Sequence, residues 1–214
     1  EAARFPAEGR PGSAAWAGMR PEDQKAVTRI MANFGKALQA YQRKLVSRNA
    51  PFDRFIAVDG AAIGTSAKRC AKLFIGKAGC AECHSGPSFT DNDFHVVGMK
   101  FEGENVTADF EQGRFGALPN LLNNELRSDG EYSDDPAAGA ARLKDIPATR
   151  DANQQVVVAE SERGKWRTKA LRDCAETPPY THNGQLKTLR EVVELYNDGG
   201  HASGFLGSRS DKIK

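Results

Sequence analysis

Apolar side chains recur every three or four residues near the start of the chain, which is the spacing of one face of an α-helix. The positions are Val27, Ile30, Met31, Phe34, Leu38, Tyr41 and Leu45. Pro21 suits the first helical position, and Glu22 and Asp23 favour the positive end of the helix dipole. The pattern predicts a long helix that begins at Pro21, buries one face and ends at Asn49-Ala50-Pro51.

Two more helices are predicted on either side of a less regular middle. Ser66–Ile75 forms a short periodic run. Thr188 and Glu191 have the spacing of a capping box, which opens a helix that Gly199-Gly200 closes. One face of this second helix is predicted to hold Val192, Val193 and Tyr196.

The periodicity weakens from Glu102 to about Gly164. The loop-like runs are 120–124, 128–130 and 133–136, with a short helix near Ala137–Leu143. Strand signals are few, and Val156–Val158 is the best of them. Residues 1–20 are rich in Ala, Gly, Pro and Arg and predict a linker. The fold class is therefore mainly α, with long loops and few short strands.

The sequence Cys80-Ala81-Glu82-Cys83-His84 has the spacing of a c-type haem attachment site. In such a site the two thiols form thioethers with the haem vinyl groups, and the adjacent imidazole becomes the proximal iron ligand. A zinc site would need two further ligands, and the remaining cysteines, Cys70 and Cys174, stand alone in the sequence. We therefore predict one covalent haem c, held by Cys80, Cys83 and His84.

The composition is that of a globular protein and gives no support for nucleic-acid binding or a membrane span. The 214 residues suit one or two domains, with 39% hydrophobic and 27% charged residues. The formal net charge of +2 comes from interspersed acids and bases, which gives no case for nucleic-acid binding. No apolar run reaches the roughly 20 residues of a membrane span. Although no signal peptide is visible, haem c attachment implies export, so we expect a periplasmic protein.

The second axial position of the iron is open to several side chains. Met19 and Met31 precede the haem motif, and Met99 follows it closely in a loop-like segment, so the His/Met arrangement of a small cytochrome has little support. The remaining candidates are His95, His182, His201, Tyr180 and Tyr196. For His95 and His182, contact with the backbone is the commoner role of a loop histidine, and His201 is predicted to be solvated.

Several ordered runs resemble the C-terminal haem domain of bacterial di-haem cytochrome c peroxidases and MauG enzymes. The runs are Leu73–Asp91 with Phe94, His95 and Gly98, then Leu171–Asp173, Thr177–Gly184 and Thr188–Gly200. The stretches 32–38 and 45–54 resemble the segment that joins the two haem domains in that family. The resemblance covers most of residues 21–100 and 164–201.

The resemblance implies further site residues. The helix opened by Thr188 carries the second axial ligand there, a Met in the peroxidases and a Tyr in MauG-like proteins, and this position corresponds to Tyr196. An ordinary core tyrosine is the alternative. The run at Thr177-Pro178-Pro179 resembles the place where family members hold calcium through backbone carbonyls, which implies Thr177 and Pro179 as ligands.

The resemblance also implies domains, partners and function. Family members carry two haem motifs and this chain has one, so the expected partner is a second haem domain, upstream or on another chain. We predict that residues 1–55 join to that preceding domain and that residues 56–214 form the haem domain, with an insertion at about 115–164. The implied function is transfer of electrons from a donor protein to a partner haem that reduces hydrogen peroxide. The alternative is a non-catalytic electron-transfer cytochrome c subunit.

Overall fold

The computed structural model describes residues 4–100 and 112–201, which divide into two compact units. The first contains residues 4–46 and 125–145, and the second contains residues 47–100, 112–124 and 146–201. The helices are α1 (Ala14–Ala17), α2 (Pro21–Gln42), α3 (Pro51–Ile56), α4 (Thr65–Ile75), α5 (Arg114–Asn123), α6 (Pro136–Leu143) and α7 (Leu189–Asn197). The strands are β1 (Phe94–His95), β2 (Ala148–Arg150), β3 (Val156–Val158) and β4 (Trp166–Arg167). The predicted mainly α class is confirmed.

In the first unit, α2 begins at Pro21 as predicted but ends at Gln42 rather than at Asn49-Ala50-Pro51. The prediction that its apolar face is buried is also wrong. Ile30, Phe34 and Tyr41 are 69%, 61% and 61% exposed. The residues that α2 buries are Asp23 and Thr28. Periodicity establishes that an apolar face exists, but it does not specify what covers that face. Among the described residues the stripe is therefore an exposed apolar surface, of the kind that marks interaction sites.

The Asp23 carboxylate is almost fully buried, and two arginines neutralise it. Arg4 Nη2 lies 2.6 Å from Asp23 Oδ1, and Arg20 Nε lies 3.0 Å from Oδ2. The hydrogen bond from Arg4 is the main reason why the pKa of Asp23 falls to about 2, with Arg20 adding to the effect against the opposing influence of burial. These contacts fasten the start of α2 to the segment before it.

The second unit contains two small antiparallel sheets. In one, β1 pairs with β4, so that Phe94 lies opposite Arg167 and His95 opposite Trp166. In the other, β2 pairs with β3, which confirms the predicted strand at Val156–Val158. Helix α5 packs on β3. The buried apolar side chains of this unit are Val96, Met99, Leu118, Val158 and Leu195.

Helix α5 corrects the expectation of a loop at residues 120–124. Residues 120–123 complete this helix, although Pro119 lies inside it. Leu118 is among the most buried side chains of the described residues. Burial of one leucine against β3 outweighs the weak local helix preference of the asparagine-rich sequence. Part of the weak stretch, residues 102–111, lies outside the described residues.

Helices α4 and α7 lie where the sequence placed them. Thr188 Oγ1 accepts from the Glu191 N–H at 3.2 Å, and Glu191 Oε2 accepts from the Thr188 N–H at 2.7 Å, so the capping box is confirmed. The side chain that α7 buries is Leu195, whereas Val193 is 67% exposed. The predicted single face is therefore wrong, because Val192 and Val193 point about 100° apart on a helix.

No helix among residues 4–100 and 112–201 combines the length and apolar character that a bilayer crossing requires. The division between a linker ending at residue 55 and a haem domain to residue 214 stays a prediction.

Candidate haem-attachment site

The haem motif folds as one tight turn in the second unit. Gly79 enters the turn with a left-handed φ of +66°, and Cys80–Glu82 form a 3-10 turn. The His84 N–H donates to the Cys80 carbonyl at 2.9 Å, which brings the imidazole residue close to the first cysteine. Neither Cys80 nor Cys83 forms a disulfide. Burial raises the pKa of the Cys80 thiol.

The His84 imidazole is fixed by a backbone carbonyl. Its Nδ1 lies 3.0 Å from the Phe89 carbonyl oxygen. Because a carbonyl oxygen can only accept, Nδ1 carries the proton, and Nε2 is left with the lone pair that binds a metal. A hydrogen bond of this kind on the second ring nitrogen orients a metal-bound histidine and raises its basicity.

The donor set therefore fits a c-type haem. Two thiols that form no disulfide, with two residues between them, are available for thioether formation, and the following imidazole presents Nε2 rather than Nδ1. Haem would be held by Cys80, Cys83 and His84, as the sequence predicts.

Tyr196 lies close to this motif on α7. Burial raises the pKa of its phenol, and negative charge on the sulfurs of Cys83 and Cys80 raises it further. The residue is nonetheless 38% exposed, so water reaches part of its side chain. Tyr196 is therefore within electrostatic range of the two cysteines. Ligation of iron by Tyr196 stays a prediction.

His95 takes part in a side-chain pair instead of a backbone contact. Its Nε2 lies 2.9 Å from Asp91 Oδ2. Burial alone would raise the pKa of Asp91, but hydrogen bonds from the Asp93 N–H and the His95 ring hold it below its usual value. Ligand atoms of Cys83, Asp91 and His95 lie within 4.8 Å of one another. A thioether at Cys83 would remove its thiolate from that group and leave the Asp91–His95 pair.

The other candidate axial ligands have different surroundings. The His182 ring stacks on Trp166, with ring centroids 3.8 Å apart and planes 13° apart. The Lys100 N–H donates to His201 Nδ1 at 3.2 Å, and His201 is half-buried, so the prediction that it is solvated is wrong. Tyr180 forms an isolated bridge with Leu186.

Thr177 and Pro179, the predicted calcium ligands, lie in an exposed segment after the 3-10 turn Cys174–Glu176. The Thr177 N–H and hydroxyl both contact the Cys174 carbonyl, at 3.4 and 3.5 Å. Calcium binding there stays a prediction. Cys70 and Cys174 are both free thiols.

Sequence reasoning missed the residues that surround His84. The Phe89 carbonyl was not foreseen because every residue type carries one. Arg172 and Asp53 were part of family-like runs, but nothing in the sequence indicated that they contact each other across 119 positions.

Comparison with known proteins places the chain in a family. It is 36% identical over 187 residues to the cytochrome-c peroxidase IdrP1 of Denitromonas iodatirespirans, covering 83% of this chain and 43% of that protein. It is 35% identical over 164 residues to the methylamine utilization protein MauG of Methylorubrum extorquens, covering 77% of this chain and 34% of that protein. No family model matches the chain.

A solved structure shows the same fold. It is a MauG-like protein associated with microbial copper homeostasis, 23% identical, with a TM-score of 0.51 over 83% of this chain and 49% of that one. The predicted cytochrome-type fold is thereby confirmed. The chain belongs to the family of cytochrome c peroxidases and MauG, which are haem c proteins. It spans less than half the length of these relatives.

Proposed function

We propose that this chain is a c-type haem domain of a peroxidase- or MauG-like oxidoreductase. In this proposal it takes electrons from a donor protein and passes them to a partner haem that reduces hydrogen peroxide. The observation that carries it is the His84 imidazole, which is oriented by the Phe89 carbonyl so that Nε2 can bind iron, beside two thiols that form no disulfide. The named relatives support the peroxidase class.

Each residue of the motif has a separate task. Cys80 and Cys83 would hold the cofactor covalently, so that it would stay with the chain in both oxidation states. His84 would bind the iron through Nε2, and its hydrogen bond to Phe89 keeps the ring in a single orientation. The bound haem supplies a one-electron centre whose potential depends on its axial ligands and surroundings.

Tyr196 is proposed as the second axial ligand. Its support is its proximity to Cys80 and Cys83, evident from their effect on its pKa. Its phenol proton would have to be displaced on binding, as for any metal ligand that is protonated when free. An anionic oxygen ligand stabilises ferric iron more than the thioether of methionine does, so we expect a potential below that of a His/Met cytochrome.

The partners and the compartment follow from the same proposal. The exposed apolar face of α2 supports a second haem domain that packs against residues 1–55. A calcium ion held by the carbonyls of Thr177 and Pro179 is proposed near that boundary, and a periplasmic location follows from haem c attachment.

Stopped-flow spectroscopy and steady-state peroxide assays test the proposal. We expect the haem-loaded chain to exchange one electron with a small donor cytochrome and to show little peroxide turnover by itself. In the complete two-haem protein, His84→Ala should abolish electron delivery to the partner haem, whereas His201→Ala, which alters a histidine without a proposed redox role, should not. Robust peroxide turnover by the chain alone would contradict the division of labour. Equal rates in the His84→Ala protein would favour a role unrelated to electron relay.

The axial proposal has its own test. Tyr196→Phe keeps nearly all of the side chain and deletes the donor atom, so the ferric spectrum should move toward five-coordinate or water-ligated haem. Tyr180→Phe is the matched control and should leave the spectrum unchanged. An unchanged Tyr196→Phe spectrum would make Tyr196 an ordinary structural tyrosine.

A further inference from the structure

The carbonyl oxygen that accepts the His84 Nδ1 proton belongs to Phe89, whose backbone conformation is unfavourable. Phe89 has a φ of +52°, a left-handed conformation that is uncommon for a bulky residue. Such a conformation is strained and persists only where its surroundings fix it. The short loop 85–90 supplies two backbone hydrogen bonds of its own, from the Phe89 N–H to the Gly86 carbonyl at 3.0 Å and from the Thr90 N–H to the Ser85 carbonyl at 2.9 Å.

Thr90 at the end of this loop donates its hydroxyl to the Thr168 carbonyl at 2.7 Å, and Arg172 provides the long-range contacts to Pro87 and Phe89. Its Nε donates to the Pro87 carbonyl at 2.7 Å, and its guanidinium lies over the Phe89 ring, 5.6 Å from the centroid. The same guanidinium makes a two-pronged pair with Asp53, at 3.0 Å from each carboxylate oxygen. Arg172 is therefore anchored on α3 while it holds two residues of the loop.

Helix α3 reinforces the loop from the other side. The Phe52 ring lies 5.7 Å from the Phe89 ring, in a tilted arrangement that is favourable for aromatic pairs. Asp53 also accepts from the Ala50 N–H at 3.0 Å, which fixes the carboxylate at the start of the helix. The path Asp53–Arg172–Phe89–His84 thus runs through direct contacts from α3 to the haem-binding histidine.

We propose that Arg172, anchored by Asp53, is a positioning residue that sets the strength of the His84–Phe89 hydrogen bond and thereby the electronic properties of the iron. This inference rests on the proposed haem attachment and deepens it. Arg172 acts through the loop, since its contacts are with Pro87, Phe89, Asp53 and the Ser47 carbonyl.

The direction of the effect follows from the chemistry of imidazole. A strong hydrogen bond from Nδ1 increases the basicity of Nε2, which stabilises the ferric iron. If the loop relaxes and the bond weakens, the ferrous state gains and the reduction potential rises. Lysine cannot replace arginine here, because it lacks the rigid fork that holds Asp53 and the Pro87 carbonyl at once.

The test measures the reduction potential and ferric spectrum of three haem-loaded variants. Arg172→Lys keeps the charge and loses the fork. Asp53→Asn keeps the shape and loses the charged anchor. Arg163→Lys is the matched control, because Arg163 also makes a two-pronged pair, with Glu160 at 2.7 and 2.9 Å, and also covers a phenylalanine ring, Phe115 at 3.9 Å.

We expect Arg172→Lys and Asp53→Asn to raise the potential, shifting the ferrous-to-ferric ratio at fixed ambient potential by about threefold to tenfold, somewhat less than direct partners of metal ligands produce. Arg163→Lys should leave it unchanged. The inference would be overturned if Arg172→Lys and Asp53→Asn both kept the wild-type potential, or if their potentials shifted only as much as that of Arg163→Lys. It would also be overturned if both variants lost haem while Arg163→Lys stayed loaded. A wild-type chain without covalent haem would instead refute the proposed function, so the two failures are distinguishable.

Discussion

Replacing Glu162 by glutamine removes the charge at the centre of a buried cluster in the second unit. The Glu162 side chain is 2% exposed, and its two oxygens face Arg114 Nη1 at 2.9 Å and Lys165 Nζ at 2.8 Å. The Arg114 guanidinium also lies over the Phe94 ring, 4.5 Å from the centroid. The cluster thus links α5, β1 and the segment before β4.

The magnitude follows from the burial of each partner. Breaking a fully buried ion pair by removing one member destabilises a protein by about 3–5 kcal/mol. Arg114 and Lys165 retain 21% and 28% of their side-chain exposure, so water can hydrate part of the charge that the substitution leaves uncompensated. In addition, the Arg114 contact is an ion pair without a well-aligned hydrogen bond to Oε2. We therefore expect a loss of about 2–3 kcal/mol.

Urea unfolding of the haem-loaded chain, with Glu160→Gln as the control, measures this loss. Glu160 lies two residues away and also pairs with an arginine, but its side chain is 74% exposed. Solvent screens such an exposed pair, so its loss should change the free energy of unfolding far less than the loss of the buried cluster. If Glu162→Gln and Glu160→Gln lower the free energy of unfolding equally, the contribution of the Glu162 cluster to stability does not depend on its burial.

Three further predictions concern the packing of α5, the exposed face of α2 and the charge pair at Asp23. Leu118→Ala should reduce the free energy of unfolding by about 3–5 kcal/mol in urea titrations, because it opens a cavity, whereas Leu121→Ala on the exposed side of α5 should cost less than about 1 kcal/mol; equal losses would contradict the assignment of the buried face. Gly35→Ala should raise the melting temperature and stabilise α2 by about 0.5–1 kcal/mol, since no atom lies within 4 Å of the added methyl group; a lower melting temperature would mean that this surface is covered. The pKa of Asp23 is lowered from 3.8 to about 2 by Arg4, so its contribution to stability is present above pH 3.8 and is lost as the pH falls through about 2. Asp23→Asn should flatten the acid-unfolding curve in that interval, and an unchanged curve would refute the pairing.

Local signals in the sequence identify the elements that need little tertiary information. The capping box of Thr188 and Glu191 opens α7 in the structure because its two hydrogen bonds join residues three positions apart. Helix α4 and the strand Val156–Val158 likewise follow from nearby residues. The motif at Cys80–His84 specifies its own tight turn.

Contacts between distant segments could not be predicted in the same way. The apolar stripe of α2 indicates that something packs against this face, but it does not identify the partner. Among the described residues the stripe is exposed. Helix α5 depends on the burial of Leu118, which local helix preference does not report. The support of His84 by a carbonyl, and of that carbonyl's loop by Arg172, depends on the path of the folded chain rather than on residue type.

Covalent attachment of haem to Cys80 and Cys83 is the central claim, and intact-protein mass spectrometry after acid-acetone extraction measures it most directly. We expect the chain expressed with a haem c maturation system to retain the mass of one haem. The Cys80→Ala/Cys83→Ala variant should lose it, and a Cys70→Ala/Cys174→Ala variant should keep it. Haem that moves into the organic phase, or that stays with the chain when Cys80 and Cys83 are both replaced, would contradict the account.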